Sequence, residues 1–224
     1  EGSADFEMKS LVHAGVPIIT RTLHPLVYVY SAVACAEGFR MRVQFTSSDG
    51  GQQNTPYQDC RSGLSMNFIL AGLRPETEYS VRHTIDTGSD FQQGPVIKLM
   101  TSAADRDFLA RTVLQSWPAS VEDGMLLQAS SASNPLATDL NGNVVWYYRD
   151  PIDFKHQGPF MLTRPDSGGY LWGIIENVEG DQSQQFVREY DLTGRTVLET
   201  NAARVGEQLV AMGKRPIGAF HHEA

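Results

Sequence analysis

The densest group of ionisable side chains in this sequence is His221-His222-Glu223. An imidazole can take up a proton, hold an anion once protonated, or attack as a nucleophile. Successive side chains of a strand point to opposite faces, so in an extended segment only one of the two histidines faces a given cavity. Ordinary packing remains open for both. His222-Glu223-Ala224 also matches the start of a His-Glu-x-x-His zinc site, which needs a helix. Gly213, Pro216 and Gly218 lie just upstream and do not start one. Asp139, Asn141 and Asn143 alternate like the oxygen ligands that open a calcium loop, but an EF-hand places its glycine after the third ligand. Gly142 falls before it, and the second copy of the motif has Thr193 and Arg195 at the Asn positions, so a structural hairpin is the better reading. His13, His24 and His83 read as surface or capping groups, and His156 sits in a loop that could line a mouth. No nucleophile elbow, phosphate-binding glycine loop or dinucleotide fingerprint occurs, so neither cofactor nor metal is expected.

The elements that must carry these residues repeat. Asp139-Leu140-Asn141-Gly142-Asn143-Val144-Val145-Trp146 recurs 52 residues later as Asp191-Leu192-Thr193-Gly194-Arg195-Thr196-Val197-Leu198. Each copy places two turn residues, Asn141-Gly142 or Thr193-Gly194, between apolar strands, which predicts a two-residue type I′ hairpin. Val144, Trp146 and Tyr148 then alternate with Val145, Tyr147 and Arg149, a strand pattern. Further strands are expected over Met125–Ala129, Phe160–Thr163, Tyr170–Ile175 and Phe186–Tyr190. A loop is expected around 150–157, and a turn over Pro165-Asp166-Ser167-Gly168-Gly169. A period near 50 is that of β-propeller blades, and two units fit from about Phe108 onward. A propeller needs at least about four blades. The chain is therefore read as a fragment, or as one whose missing blades come from elsewhere, including a second copy in a homodimer.

Upstream, residues 11–101 read as short strands. Leu26–Val33 is apolar and β-prone, and Phe39, Met41, Val43 and Phe45 alternate with Arg40, Arg42 and Gln44 as in a half-buried antiparallel strand. Ser47–Thr55 is polar and reads as a loop. Phe68-Ile69-Leu70 precedes Leu73-x-Pro75-x-x-x-Tyr79 and the strand Ser80–Ile85. That spacing is a tyrosine corner, in which the phenol bonds back to backbone a few residues upstream. Here the chain resembles a fibronectin type III domain. Cys35 and Cys60 fall in this half, either as a disulfide, which would imply export, or as buried free thiols. Ser102–Asp107 opens a linker, giving an all-β chain with a sandwich over 1–105 and a truncated propeller of about two blades over 106–224. The stretch through Trp117-Pro118 fits either a helical turn or an irregular strand.

Composition narrows the partners. The 224 residues are 41% hydrophobic and 20% charged, as in a globular protein. A net charge of −8 with 18 scattered basic residues argues against nucleic acid. No apolar run approaches the ~18 residues of a membrane span. The sequence opens at Glu1 with no apolar leader, so an exported form would already have lost one.

Taken together, the sandwich, blades reading Ala137-Thr138-Asp139-Leu140-Asn141-Gly142-Asn143-Val144-Val145-Trp146-Tyr147-Tyr148, and Phe220-His221-His222-Glu223 resemble the bacterial aryl-sulfate sulfotransferase family. The resemblance spans most of the chain and implies a periplasmic or extracellular enzyme with a six-bladed propeller. Its members move a sulfuryl group from an aryl sulfate donor to a phenolic acceptor through a sulfohistidine, with no nucleotide donor or other cofactor. His221 and His222 match the family's His-His-acid motif, which implies contact with the sulfate. The nucleophilic histidine and catalytic arginine belong to later blades, so this chain alone is expected to be inactive. Lys214 and Arg215 stand nearby, either adding positive potential or simply exposed. The rival reading is a non-catalytic exported or cell-surface binding module.

Overall fold

The computed structural model describes Val12 and residues 15–105, 113–114, 124–130, 133–148, 160–165, 170–175 and 181–220. The class is all-β: sixteen strands and one α-helix are described, every strand pair is antiparallel, and no described sheet closes on itself. The chain divides into two compact units, Glu1–Ala103 and Ala104–Ala224.

In the first unit, β1 (Ile18–Arg21), β2 (Tyr28–Ala32) and β6 (Met66–Leu70) form a sheet in the order β1-β2-β6. A second sheet has β3 (Arg40–Ser47) and β7 (Glu78–Asp86) at its centre. β4 (Gln52–Asn54) and β5 (Gln58–Asp59) pair with β3, and β8 (Phe91–Gln93) and β9 (Ile97–Met100) pair with β7. The alternation read in β3 is realised: Met41, Val43 and Phe45 are buried and Phe39 packs beside them. They share one core with Tyr28, Tyr30 and Ala32 of β2, Met66, Phe68 and Leu70 of β6, and Tyr79 and Val81 of β7. Burying a Val, Phe or Met side chain stabilises by roughly 1.5–3 kcal/mol, so this cluster is the chief favourable contribution to the unit.

Two covalent and polar ties hold its connections. The Tyr79 hydroxyl accepts from Arg74 N at 2.9 Å, the geometry of a tyrosine corner. Buried Thr101 reinforces it, donating to Arg74 O at 2.6 Å and accepting from Thr77 N at 2.9 Å. Cys35 and Cys60 are joined as a disulfide, with Cα atoms 5.3 Å apart. The expected loop over Ser47–Thr55 is only partly a loop. Ser47 N donates to Gly51 O and Gly50 N to Ser47 O, both at 2.9 Å, and this turn lays Gln52–Asn54 against Gln44–Thr46. All three β4 residues are exposed, so no apolar period marks them in the sequence.

The second unit contains a sheet of β10 (Met125–Ser130), β11 (Ser133–Asp139) and β12 (Val144–Tyr147) in that order. A second has β13 (Phe160–Pro165), β14 (Tyr170–Ile175), β15 (Phe186–Asp191) and β16 (Thr196–Asn201), also in order. The two repeat copies are hairpins, but their turns differ from the expected type I′. Asp139 N donates to Asn143 O at 2.9 Å and Gly142 N to Asp139 O at 3.1 Å; in the second copy Asp191 N reaches Arg195 O at 3.0 Å and Gly194 N reaches Asp191 O at 2.9 Å. Each is a three-residue loop with its glycine at positive φ, 82° at Gly142 and 84° at Gly194, while Asn141 and Thr193 stay at negative φ. A type I′ turn needs positive φ at both central residues, which β-branched Thr193 strongly disfavours. Both copies instead carry a register shift next to the turn, between Ala137 and Thr138 and between Glu189 and Tyr190.

The helix α1 (Ala202–Ala211) was not expected. The Asn201 side chain caps it by accepting from Arg204 N at 2.8 Å. It ends in a Schellman pair, Gly213 N to Val210 O at 2.9 Å and Lys214 N to Leu209 O at 2.8 Å.

Two outcomes test these ties. Tyr79→Phe leaves the Arg74 amide without its acceptor and should cost about 1–3 kcal/mol, read as a shifted urea midpoint at unchanged m-value. The double variant Cys35→Ser/Cys60→Ser opens a link of 25-residue separation and should lose about 3.5 kcal/mol on the chain-entropy account, an effect that dithiothreitol on the parent protein should reproduce.

Candidate functional site

His221, His222 and Glu223 lie outside the described residues, as do His13 and His156. The approach to the histidine pair is described as far as Phe220. Its backbone N donates to the side-chain Oε1 of Gln185 at 2.7 Å. Gln185 is buried, and its carbonyl also accepts from Ala202 N at 3.0 Å. One buried amide residue thus ties the residue before His221, the first residue of α1 and the 3-10 turn Gln182–Gln184 that precedes β15. Lys214 and Arg215 are exposed.

The polar centre of the second unit lies between its two sheets. Val144, Val145, Trp146, Tyr147 and Tyr148 are all buried, so β12 and the residue after it are covered on both faces. Trp146 Nε1 donates to Leu192 O at 2.8 Å, and its ring stacks on Tyr190 with centroids 6.4 Å apart. Tyr148 meets Tyr190 edge-on at 4.6 Å. Arg188, 3% exposed, gives Nη1 to the Tyr148 hydroxyl at 2.8 Å and Nε to Glu199 Oε2 at 2.6 Å. Burial works against its charge, but the Tyr148 and Glu199 oxygens outweigh that and hold its pKa above the ordinary arginine value. Tyr147 fixes the start of the unit, its hydroxyl accepting from Asp105 N at 3.0 Å.

The hairpin carboxylates are consumed by their own turns. Asp139 Oδ1 accepts from Asn141 N and Asn143 N, both at 2.9 Å, while Oδ2 accepts from Asn143 Nδ2 at 2.8 Å. Asp191 Oδ1 accepts from Thr193 N at 2.8 Å, Thr193 Oγ1 at 2.6 Å and Arg195 N at 3.1 Å. In both copies the carboxylate caps its own turn through Oδ1, which agrees with the structural reading of the motif. Among the described residues no three His, Cys, Asp or Glu side chains gather as a metal site would need.

The two described histidines of the first unit are internal, not surface groups. His24 caps a turn, Nδ1 accepting from Leu26 N at 3.0 Å, and is 1% exposed. His83 projects from the core face of β7, and its Nδ1 shares a 2.7 Å hydrogen bond with the Tyr30 hydroxyl of β2. Burial pushes the Tyr30 phenol up to about 12 and holds the His83 imidazole below its ordinary value. The pair is therefore neutral. Gly94 lies flat on the His83 ring; a Cβ there would stand 2.1 Å from Cε1. The sequence reading missed this placement, although period two already groups His83 with Tyr79 and Val81. It also missed Arg188, which shares a strand face with Tyr190.

Compared with known proteins, the chain matches no protein-family model, and no curated protein matches it. Among the described residues no helix is long and apolar enough to cross a membrane.

Since the folded state holds His83 below the free value of about 6.5, the unfolded chain binds the extra proton first as pH falls. The stability due to the neutral imidazole is complete above pH ~6.5 and declines from there down to the folded-state pKa. Unfolding free energies measured across this window should fall for the parent protein and fall less steeply for His83→Gln, which keeps a partner for Tyr30 but does not titrate.

Proposed function

We propose that this chain is the N-terminal part of an exported, periplasmic or extracellular aryl-sulfate sulfotransferase: a fibronectin type III-like β-sandwich followed by about two blades of a β-propeller. The observation that carries the reading is the seam between the repeat copies. Two hairpins 52 residues apart share one turn geometry, and Trp146 of the first reaches the turn carbonyl of the second at 2.8 Å. A propeller requires successive blades to pack against one another around its axis. Leu198, the counterpart of Trp146 in the second copy, is 56% exposed, as expected of a blade whose next neighbour lies outside these residues. The tyrosine corner and the shared core of its two sheets support the sandwich. The disulfide is compatible with export.

The chemistry proposed for the assembled propeller has two displacements. A histidine nitrogen attacks the sulfur of the aryl sulfate; the N–S bond forms as the S–O bond to the aryl oxygen breaks, and the phenolate leaves. The acceptor phenol, giving up its proton, then attacks the same sulfur and the N–S bond breaks. In this scheme His221 and His222 contact the sulfate oxygens, stabilising charge that builds up there. The nucleophile lies in other blades.

Full-length protein given an aryl sulfate donor and a phenol acceptor should transfer the sulfuryl group with ping-pong kinetics. Replacing both His221 and His222 with Ala should lower kcat by about 100-fold or more, the scale of losing an oxyanion contact. Transfer that survives the double replacement removes the site assignment, and no transfer by the parent protein favours the non-catalytic binding module.

A further inference from the structure

The outer face of the six-stranded sheet gathers three arginines in a chain whose net charge is −8. Arg40, Arg42 and Gln44 alternate with the buried Met41, Val43 and Phe45 and so share the side away from the core. The register sets Arg40 opposite Asp86, Arg42 opposite Thr84 and Gln44 opposite Arg82. On the next strand Thr84 faces Gln93 and Asp86 faces Phe91. Directly opposed residues lie on one face, so Arg82, Gln93 and Phe91 belong to the same surface as the arginines of β3.

These cations are not equally neutralised. Arg40 forms an ion pair with Asp86 at 2.6 Å. Arg82 is held by neutral amides: Nε and Nη2 donate to Gln44 Oε1 at 3.2 Å each, and Nη1 to Gln93 Oε1 at 2.6 Å. Arg42 lies over the Tyr57 ring, its guanidinium carbon 4.9 Å from the centroid, with that of Arg40 at 5.1 Å. Its Nε is buried and is the one side-chain atom of that kind, among the described residues, with no acceptor. Arg42 and Arg82 occupy diagonal cross-strand positions, roughly 7 Å apart or less at Cβ. The centre of the face therefore presents two pre-positioned guanidinium forks with no carboxylate within ion-pair distance among the described residues.

Forks of this shape match the paired oxygens of a sulfate or carboxylate better than a point charge does. Beside them stand two amides able to meet hydroxyls, and Phe91, 61% exposed, offers a flat ring to the C–H face of a sugar. The disulfide is compatible with an oxidising compartment. We propose that this face binds an acidic polysaccharide, seating one sulfate or carboxylate group on Arg42 and Arg82 and one sugar ring on Phe91. It concerns the first unit alone and stands or falls independently of sulfuryl transfer.

Affinity electrophoresis of the 224-residue chain through dextran sulfate, polygalacturonate and unsubstituted dextran tests it, with inorganic sulfate as a competitor. The parent protein should be retarded by at least one polyanion in low salt and not by plain dextran. Arg42→Lys and Arg82→Lys, which keep the charge and remove the fork, should each weaken retardation several-fold, and the corresponding Ala variants at least tenfold. Phe91→Ala should weaken binding of the polymer but not competition by inorganic sulfate. Thermal melting of every variant separates lost binding from lost fold. No retardation by either polyanion overturns the proposal, as does equal retardation of folded Arg42 and Arg82 variants. Inorganic sulfate that competes as well as polymer-borne sulfate, mole for mole, with Phe91→Ala silent, overturns the carbohydrate assignment.

Discussion

The hydrogen bond from the Trp146 indole to the Leu192 carbonyl is the constraint around which the second unit is arranged. A part-buried turn carbonyl needs a donor, and Trp146 supplies one while its ring stacks on Tyr190. That contact requires the second hairpin to hold one geometry, which the Asp191 carboxylate and Gly194 enforce from within the loop. It also requires β12 to approach closely, which brings Tyr148 against Arg188 and Tyr190. The repeat thus matters less as two similar hairpins than as one hairpin whose aromatic arm caps the other.

The two units solve the problem of a buried polar group in opposite ways. In the first, Tyr30 and His83 share one proton-bearing contact, and desolvation favours the uncharged form of each. In the second, Arg188 keeps its charge because a hydroxyl and a carboxylate both turn their oxygens to it. A neutral pair tolerates a sealed core. A charged one needs an outlet for part of the compensation, and Glu199 has a side chain 36% exposed where Arg188 has 4%.

Much of this was legible wherever apolar residues recur with period two. Met41, Val43 and Phe45 announced their face, Tyr170–Ile175 its bounds, and Leu73, Pro75 and Tyr79 their corner. Polar elements were not legible. β4 is fully exposed and exists only because Ser47 and Gly51 fold the chain back. Helix α1 was overlooked because it follows β16 with no linker between them, although Val205 and Leu209 recur at helical spacing and Asn201 before it and Gly213 after it are the residues expected at such ends. The hairpins were found by their glycines but given the wrong turn, because Asn-Gly alone does not say which side of the pair the register gives way. His83 was misread by type: a histidine looks polar in a sequence, whereas its parity with Tyr79 and Val81 was the better guide. For the histidine pair the sequence motif remains the sole guide, and the chain before it contributes one anchor, Gln185.

The bare backbone of Gly94 against the His83 ring has a consequence for how this sheet can vary. The two positions occupy a single volume, since any side chain at 94 must enter space that the imidazole fills and that Tyr30 prevents it from leaving. Positions 83 and 94 are therefore not free to diverge separately: among related sequences a larger residue at 94 is to be sought only beside a smaller one at 83, and the hydroxyl of residue 30 should disappear with the ring it serves.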